Sequence, residues 1–358
     1  MPVSTMLADH TTLGLGGPAK AFRTASSTDE LVGLVTEADR TGERVLVLGG
    51  GSNLVVADDG FPGTVVLVAS QGVTTTEAGT DPETGEEIVL LRADAGVEWD
   101  PLVERTVAEG LNGVEFLSGI PGRVGSTPIQ NVGAYGQDVS QTVHEVLVLD
   151  RTTGELVTLS NAECGFTYRD SAFKGHDRYV VCEVVFELRR GPLSRPVRYA
   201  EVARAMGVDA GERVPLVRAR EVVLGLRAGK GMVLDPADPD TRSAGSFFTN
   251  PVLSAEEYAA FRERAGARLG AGTEIPGHPD DAGNVKLSAA WLIDRAGFTK
   301  GYGDGPARIS GKHTLALTNP GGATTADLLD LAREVRAGVE AAFGVRLVNE
   351  PVLLGVSL

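Results

Sequence analysis

Leu117–Gly136 reads LSGIPGRVGSTPIQNVGAYG. Five glycines (Gly119, Gly122, Gly125, Gly133 and Gly136) and two prolines (Pro121 and Pro128) exclude any regular helix or central strand here. The stretch is not a solvated linker either, because Ile120, Val124, Ile129 and Val132 punctuate it. An irregular segment with that much apolar content is expected to be ordered and partly buried, and its main-chain polar groups must then find partners. A structural loop between strands would supply them, and so would a flat, polar cofactor lying against the loop.

Working toward the N-terminus, a second glycine run follows an apolar strand. Arg44–Leu48 (RVLVL) empties into Gly49, Gly50, Gly51, Ser52 and Asn53. Consecutive amides without side-chain bulk form a nest for phosphate oxygens, to which Ser52 and Asn53 add donors. Gly49 and Gly51 match the start of a G-x-G-x-x-G pattern, but Leu54 stands at its third glycine, and no Gly-Lys-Ser/Thr follows. The run is therefore neither a Rossmann fingerprint nor a Walker loop. A plain turn and a phosphate nest explain it equally well on its own.

The surrounding pattern is α+β. Phe22–Ala25 reads as a strand. Ser27 and Glu30 have capping-box spacing, Leu31, Leu34, Val35 and Ala38 follow at helical spacing, and Gly42 stops the helix, giving a β-α-β start. Strands are expected at Thr64–Ala69, Glu87–Ala95, His144–Asp150, Glu155–Ser160 and Tyr179–Leu188, interrupted by a helix at Trp99–Glu109; residues 80–87 read as a surface hairpin extension. Residues 191–235 read as connecting strand and helix, and Asp235–Arg242 (DPADPDTR) as a linker. Beyond it, helices are expected at Ala255–Leu269, Ala289–Ala296 and after Thr324, whose spacing to Asp327 is again that of a capping box, with a terminal strand at Val345–Leu354. The expected domains are residues 1–62, completed by 349–358, then 63–234, then 235–348.

The 358 residues carry a net charge of −15, which argues against a nucleic-acid surface. An anionic ligand would need a locally basic pocket, for which Arg308, Lys312 and His313 are available in the third domain. The longest apolar runs are strand-sized, so no membrane span is expected. Met1–His10 lacks the pattern of a signal peptide. Two cysteines, Cys164 and Cys182, make no disulfide framework, and the five histidines have no metal spacing, so a cytoplasmic protein without a metal is expected.

GGGSN together with SGIPGRVGSTPIQNVGAYG resembles the FAD-binding fold of the vanillyl-alcohol-oxidase and para-cresol-methylhydroxylase type, two α/β subdomains cradling FAD. The wording PIQNVGAYG, with Tyr168–Ser171 (YRDS), Gly245–Pro251 (GSFFTNP) and Asn349–Pro351 (NEP), resembles the UDP-N-acetylenolpyruvoylglucosamine reductase family. The resemblance covers nearly the whole chain. It implies FAD held by Gly49, Gly50, Gly51, Ser52 and Asn53 at the pyrophosphate, and by Gly119, Pro121, Gly122, Gly125, Ser126, Asn131 and Gly133 at the flavin. Several members of the fold attach the flavin through His or Cys; neither loop has one, so non-covalent FAD is expected. The implied chemistry is NADPH-dependent reduction of an enolpyruvyl sugar nucleotide by a monomeric enzyme.

The resemblance also implies the catalytic set Arg169, Ser246 and Glu350. Reduction of an enolpyruvyl ether adds hydride at C3 and a proton at C2, with negative charge building at C2 and the adjoining carboxylate. Arg169 would steady that charge, Glu350 would orient the carboxylate end or share a proton with it, and Ser246 would deliver the proton, helped by a cation such as Lys230 or Lys286. Tyr168 and Asn250 join the substrate-binding candidates. Tyr199, in the PVRYAEV stretch, would close over the substrate, as in the form of the family that carries a covering tyrosine. Taken singly, Arg169 is equally an ion-pair member, Ser246 a turn residue, Glu350 a solvated carboxylate and Tyr199 an ordinary strand residue. Two other readings remain at this stage: an oxidase of the same flavin fold, and a binding protein without catalysis.

Overall fold

A computed structural model describes residues 5–280 and 282–358, so the first four residues of the Met1–His10 stretch lie outside the described ones. The chain divides into two compact units. Among the described residues, the first comprises residues 5, 19–51 and 62–233, and the second 6–18, 52–61, 234–280 and 282–358.

In the first unit, helix α1 (Thr28–Thr41) is capped by Ser27 Oγ, which accepts from the Glu30 amide at 3.2 Å, and ends on Gly42 in the left-handed conformation. The Glu30 carboxylate reciprocates one residue early, accepting from Ser26 N at 2.7 Å. Its apolar face (Leu31, Val35, Ala38) is buried. The strand Ala19–Ala25 lies beside Phe61–Val68, which pairs in parallel with Val45–Leu48. The larger sheet is antiparallel, in the order Glu155–Ser160, Val143–Asp150, Tyr179–Arg190, Glu87–Asp94, Val73–Thr80, with Leu111–Asn112 beside the end of Tyr179–Arg190. Val73–Thr80 was not expected, since its TTTE run has no apolar alternation. It pairs along Glu87–Asp94 with its residues largely exposed, and residues 81–86 turn between them.

Helix α2 (Trp99–Ala108) plugs this core. Trp99 is 1% exposed, lies 5.6 Å from the Phe186 ring and donates Nε1–H to the Leu117 carbonyl at 3.1 Å. The indole thus buries its ring while anchoring the start of the glycine-rich stretch. Residues 191–233 contain no strand, contrary to expectation, only a single bridge between Leu193 and Pro215. Instead α3 (Ala200–Met206) and α4 (Leu216–Ala228) enclose Phe116, Val197, Val202, Met206 and Val223 in a small core of their own.

In the second unit, α5 (Ala255–Leu269), α6 (Ala289–Ala296) and α7 (Thr325–Phe343) pack around Phe261, Trp291 and Phe343, whose rings are 5.9–6.4 Å apart. Ser254 with Glu257 and Thr324 with Asp327 form complete capping boxes. Residues 52–61 fall in this unit for a visible reason. Asp58 accepts from the Thr325 and Ala326 amides at the start of α7, and Leu54–Val56 pairs in parallel with Val352–Leu354. A carboxylate on those orphan amides satisfies them and opposes the helix dipole. The terminal strand is only Val352–Leu354, much shorter than the Val345–Leu354 read from sequence. Val345 and Leu347 are buried apolar residues of this unit's core without belonging to a strand. The DPADPDTR stretch is ordered: Thr241 Oγ1 donates to the carbonyls of Asp235 and Asp238 at 2.9 and 2.8 Å.

Candidate active site

In the first unit the two glycine loops meet. A Cβ placed on Gly50 would lie 2.7 Å from the Cα of Gly122, so the backbones touch where any side chain would part them. Gly49 faces Ser126 at 3.8 Å, and Gly51 sits at φ 59°. The second loop is stitched across the end of the large sheet. Gly125 N donates to Ala95 O at 2.9 Å and Val124 N to Val97 O at 2.8 Å, and a Cβ on Gly125 would strike the Ala95 Cβ at 2.5 Å. Arg123 reaches back to the Val68 carbonyl. Ser126 Oγ donates to Arg123 O at 2.6 Å, and Gly119 N to Asp100 Oδ1 at 2.6 Å, an oxygen shared with the Arg220 guanidinium. Pro121 sits between these anchors in the chain.

Three non-glycine residues take positive φ, two further along the stretch, Asn131 (48°) and Tyr135 (52°), and one in YRDS, Arg169 (55°). Such conformations persist only when surrounding structure holds them. Asn131, 6% exposed, is clamped by both ends of its amide. Nδ2 donates to Thr167 O at 3.0 Å, and Oδ1 accepts from Ser140 N at 3.0 Å. Arg169 donates from Nη1 to Asn131 O at 3.2 Å and from Nη2 to Gly133 O at 2.6 Å, and its own carbonyl accepts from Lys174 Nζ at 2.6 Å. The YRDS and PIQNVG segments are thus one hydrogen-bonded body, with Arg169 also 5.6 Å from the exposed Tyr168 ring.

A third cluster in this unit joins Tyr199, Tyr135, Lys230 and Glu201. Tyr199 is the residue preceding α3, not a strand tyrosine, and is 47% exposed. Its ring meets Tyr135 edge-on at 5.6 Å. Burial pushes the Tyr135 phenol up to about 12, so it is a neutral donor at physiological pH. Lys230 Nζ lies 5.5 Å from the Tyr135 centroid and 2.6 Å from Glu201 Oε2. Tyr135 lies within Leu117–Gly136, where an aromatic after Gly-Ala carries no sequence marker of its backbone strain.

In the second unit GSFFTNP and NEP run side by side. Glu350 N donates to Phe247 O at 2.8 Å, Thr249 N to Val348 O at 3.0 Å, and Phe248 bridges Asn349 in antiparallel fashion. Phe247 and Phe248, both 1% exposed, anchor the segment in the core, which leaves the partly exposed Ser246 at its edge beside Gly245 at φ 71°. Asn53 belongs to this unit with Ser52. It donates Nδ2 to the Glu350 carbonyl at 3.3 Å, and its own carbonyl accepts from Val352 N at 3.0 Å. Asn250 Oδ1 accepts from Ala289 N at 2.9 Å at the start of α6, and Lys286 lies opposite Val252 in a short sheet. Of the basic trio, Lys312 is bonded to Asp238 at 2.5 Å.

The residues present suit a flat dinucleotide with two phosphates. The glycine contacts leave backbone, not side chains, along the two loops, and the cysteines are remote from any covalent role. Cys164 and Cys182 are buried, and burial raises their thiols to about 12 and about 11. Among the described residues no cluster of His, Cys, Asp and Glu could hold a metal, and no helix is long and apolar enough to cross a membrane.

A family model of the C-terminal domain of UDP-N-acetylenolpyruvoylglucosamine reductase matches residues 236–354, and one of an FAD binding domain matches residues 19–160. The UDP-N-acetylenolpyruvoylglucosamine reductase of Thermobifida fusca (strain YX) is 65% identical over 352 residues, 98% of this chain and 97% of that one. That of Streptomyces coelicolor is 61% identical over 354 residues, 98% of this chain and 90% of its own. Among solved structures, UDP-N-acetylenolpyruvylglucosamine reductase from Thermus caldophilus superposes with a TM-score of 0.65 at 27% identity, over 98% of this chain and 97% of that one.

Proposed function

Because the chain belongs to the UDP-N-acetylenolpyruvoylglucosamine reductase family, we propose that it reduces UDP-N-acetylglucosamine enolpyruvate to UDP-N-acetylmuramate in peptidoglycan precursor synthesis, with non-covalent FAD and with NADPH as the reductant. It does so as a monomer in the cytoplasm. Residues 1–62 with 349–358, and 63–234, form the cofactor cradle, and 235–348 the substrate domain.

FAD, held by the two glycine loops, would supply the hydride chemistry that no side chain of the protein can perform. The chain's own residues do the rest. Gly49–Gly51, with Ser52 and Asn53, accept the pyrophosphate. Gly119, Pro121, Gly122, Gly125, Ser126, Asn131 and Gly133 line the flavin. Arg169 offers its remaining guanidinium edge to the substrate carboxylate, where charge accumulates as C2 becomes carbanionic. The two loop carbonyls that Arg169 already engages fix the fork before substrate arrives, which removes an ordering cost from the reaction. Ser246 gives its proton to C2, and Glu350 orients the carboxylate end. Tyr168, Tyr199, Lys230, Asn250 and Lys286 bind and enclose the nucleotide sugar. Lys230 must exchange its contact with Glu201 for an anionic group of the substrate.

The observation that carries the catalytic reading is the 2.8 Å hydrogen bond between Glu350 N and Phe247 O, which sets Glu350 beside the residue that follows the partly exposed Ser246. The test is anaerobic. NADPH should bleach the flavin of the purified protein, and UDP-N-acetylglucosamine enolpyruvate should restore it stoichiometrically. A protein that stays bleached with that substrate present does not have this function.

A further inference from the structure

At Gly136, the far end of the second glycine loop, the first unit holds a cavity of about 370 Å³ whose polar lining is Gln137, Gln141, Thr142, Arg195 and Arg198. We propose that this cavity is a binding site for a phosphate monoester, recognised by Arg195, Arg198 and the Gln137 amide. None of the residues in its lining is among those assigned above to cofactor or substrate.

The case rests first on Gln137. It is 4% exposed, and its Oε1 accepts from the Phe116 amide at 2.8 Å. Since an N–H faces that atom, the amide orientation is fixed and the NH₂ must be the other end. That Nε2 is buried and has no hydrogen-bond partner. An unsatisfied buried donor costs about 1–3 kcal/mol, and a ligand oxygen bonded to it from the cavity that Gln137 lines would remove the cost once a small side-chain shift opens the enclosed Nε2 to that cavity. Gly136 stands beside it at φ 84°, and a Cβ there would come within 3.2 Å of the Arg198 Cβ, so the two walls of the cavity approach closely because residue 136 has no side chain.

The charge points the same way. In a chain of net charge −15, this lining has two arginines and no acidic side chain, and neither guanidinium is paired with a carboxylate among the described residues. The two neighbouring carboxylates are held by N–H groups of the lining and bond to neither guanidinium. The buried Glu115 accepts from the amides of Gly113 and Arg195 at 2.6 and 2.5 Å, and Asp138 accepts from Ser140 and from Gln141 Nε2. The arginine segment is braced rather than loose. Ser194 N donates to Val214 O at 2.7 Å, Val197 N to Glu212 O at 2.8 Å, and Arg213 Nε to Ser194 O at 2.7 Å. Two guanidiniums and an amide NH₂ form a donor-only set that suits a compact dianion with several acceptor oxygens.

Two sources share that chemistry: a free phosphate ester, or the 2′-phosphate of the reductant. Only the second rests on the function proposed above. The probe is inorganic phosphate, titrated calorimetrically into the FAD-bound protein with UDP present to occupy the nucleotide-sugar site. Saturable binding is expected, weakened roughly 10- to 100-fold in Arg195→Gln/Arg198→Gln. Gln137→Glu keeps the acceptor for Phe116 and should weaken binding comparably by replacing the donor with an anion, while flavin absorbance stays unchanged. Displacement of phosphate by NADP⁺ but not NAD⁺ identifies the 2′-phosphate as the occupant; displacement by neither identifies a free ester. Phosphate that does not bind with UDP present, or binds the folded variants as tightly as the parent, overturns the site whether or not the reductase reaction stands.

Discussion

Arg169 Nη2 donates to the Gly133 carbonyl at 2.6 Å from a backbone at φ 55°, so the arginine of YRDS and the glycine of PIQNVG are held by one charge-assisted contact across strained backbone. The arginine is therefore a brace for the loop as well as a candidate for substrate charge. Arg169→Lys separates these roles, since lysine carries the same strain at this φ but cannot bond two carbonyls and a carboxylate with one fork. The expected result is a fall in kcat of about 10²-fold with FAD still bound, read from steady-state kinetics and flavin absorbance. If kcat is unchanged, Arg169 does not act on the substrate.

Gly50→Ala should empty the cofactor site. Its Cβ would lie 2.7 Å from the Gly122 Cα and 3.2 Å from the Gly122 carbonyl carbon, and backbone cannot rotate aside as a side chain can. One loop must move, which spoils both halves of the proposed phosphate cradle. The purified variant should be folded by circular dichroism but at least tenfold depleted in flavin, by the ratio of flavin to protein absorbance. Full occupancy would mean that the loop contact is not part of the cofactor site.

Much of this was legible in sequence, and what was not has a physical reason. Capping pairs such as Ser27/Glu30 and Thr324/Asp327 mark their helices because the side-chain chemistry is local. Val73–Thr80 escaped because it is an exposed edge strand, with no buried face to impose alternation. The last strand shrank to three residues because Val345 and Leu347 are apolar for the sake of the core, not of a ladder. In the site, the glycine runs announced themselves by composition. Their meeting at Gly50 and Gly122, the strain at Tyr135, and the run of NEP beside GSFFTNP depend on pairings distant in sequence, which no local pattern encodes.

Neither cysteine should react in the native protein. Cys164 is fully buried and its thiol is raised to about 12 by that burial; Cys182, 1% exposed, is raised to about 11 for the same reason. The thiolate is the nucleophile, and at pH 8 almost none exists. Iodoacetamide at pH 8 should leave both unmodified by mass spectrometry until denaturant is added, when both should alkylate. The same test reports on the flavin, which should leave with the denaturant and not remain on the chain.

The hairpin between Val73–Thr80 and Glu87–Asp94 should weaken in acid through Asp81. The Thr84 and Glu83 amides and the Arg189 guanidinium hold its carboxyl at about 2, below the ordinary 3.8. The folded state therefore binds this proton less readily than the unfolded chain. The resulting stabilisation is complete above about pH 4 and is lost as pH falls through about 2. Asp81→Asn should melt below the parent at pH 7, and the gap should close toward pH 2. A gap independent of pH would assign the effect to hydrogen-bond geometry alone.

Ser246→Ala should divide the reaction into its two halves. Ser246 stands next to Phe247, whose carbonyl accepts from Glu350, and both phenylalanines after it are buried, so removing one hydroxyl leaves the segment anchored. Transfer from NADPH to FAD requires no proton at substrate C2, and flavin bleaching should keep nearly its normal rate. Transfer to the enolpyruvyl group builds charge at C2 that a positioned proton must meet, and losing such an acid costs about 10²–10⁴-fold. Ser246→Cys should recover part of that loss, because a thiol can also donate a proton. Two single-turnover rates on one preparation decide the matter: bleaching by NADPH, and anaerobic reoxidation by UDP-N-acetylglucosamine enolpyruvate. Equal slowing of both would make Ser246 a positioning residue for the flavin. Slowing of neither would move the proton donor elsewhere, with the carboxyl of Glu350, one residue along the same pairing, as the next group to replace.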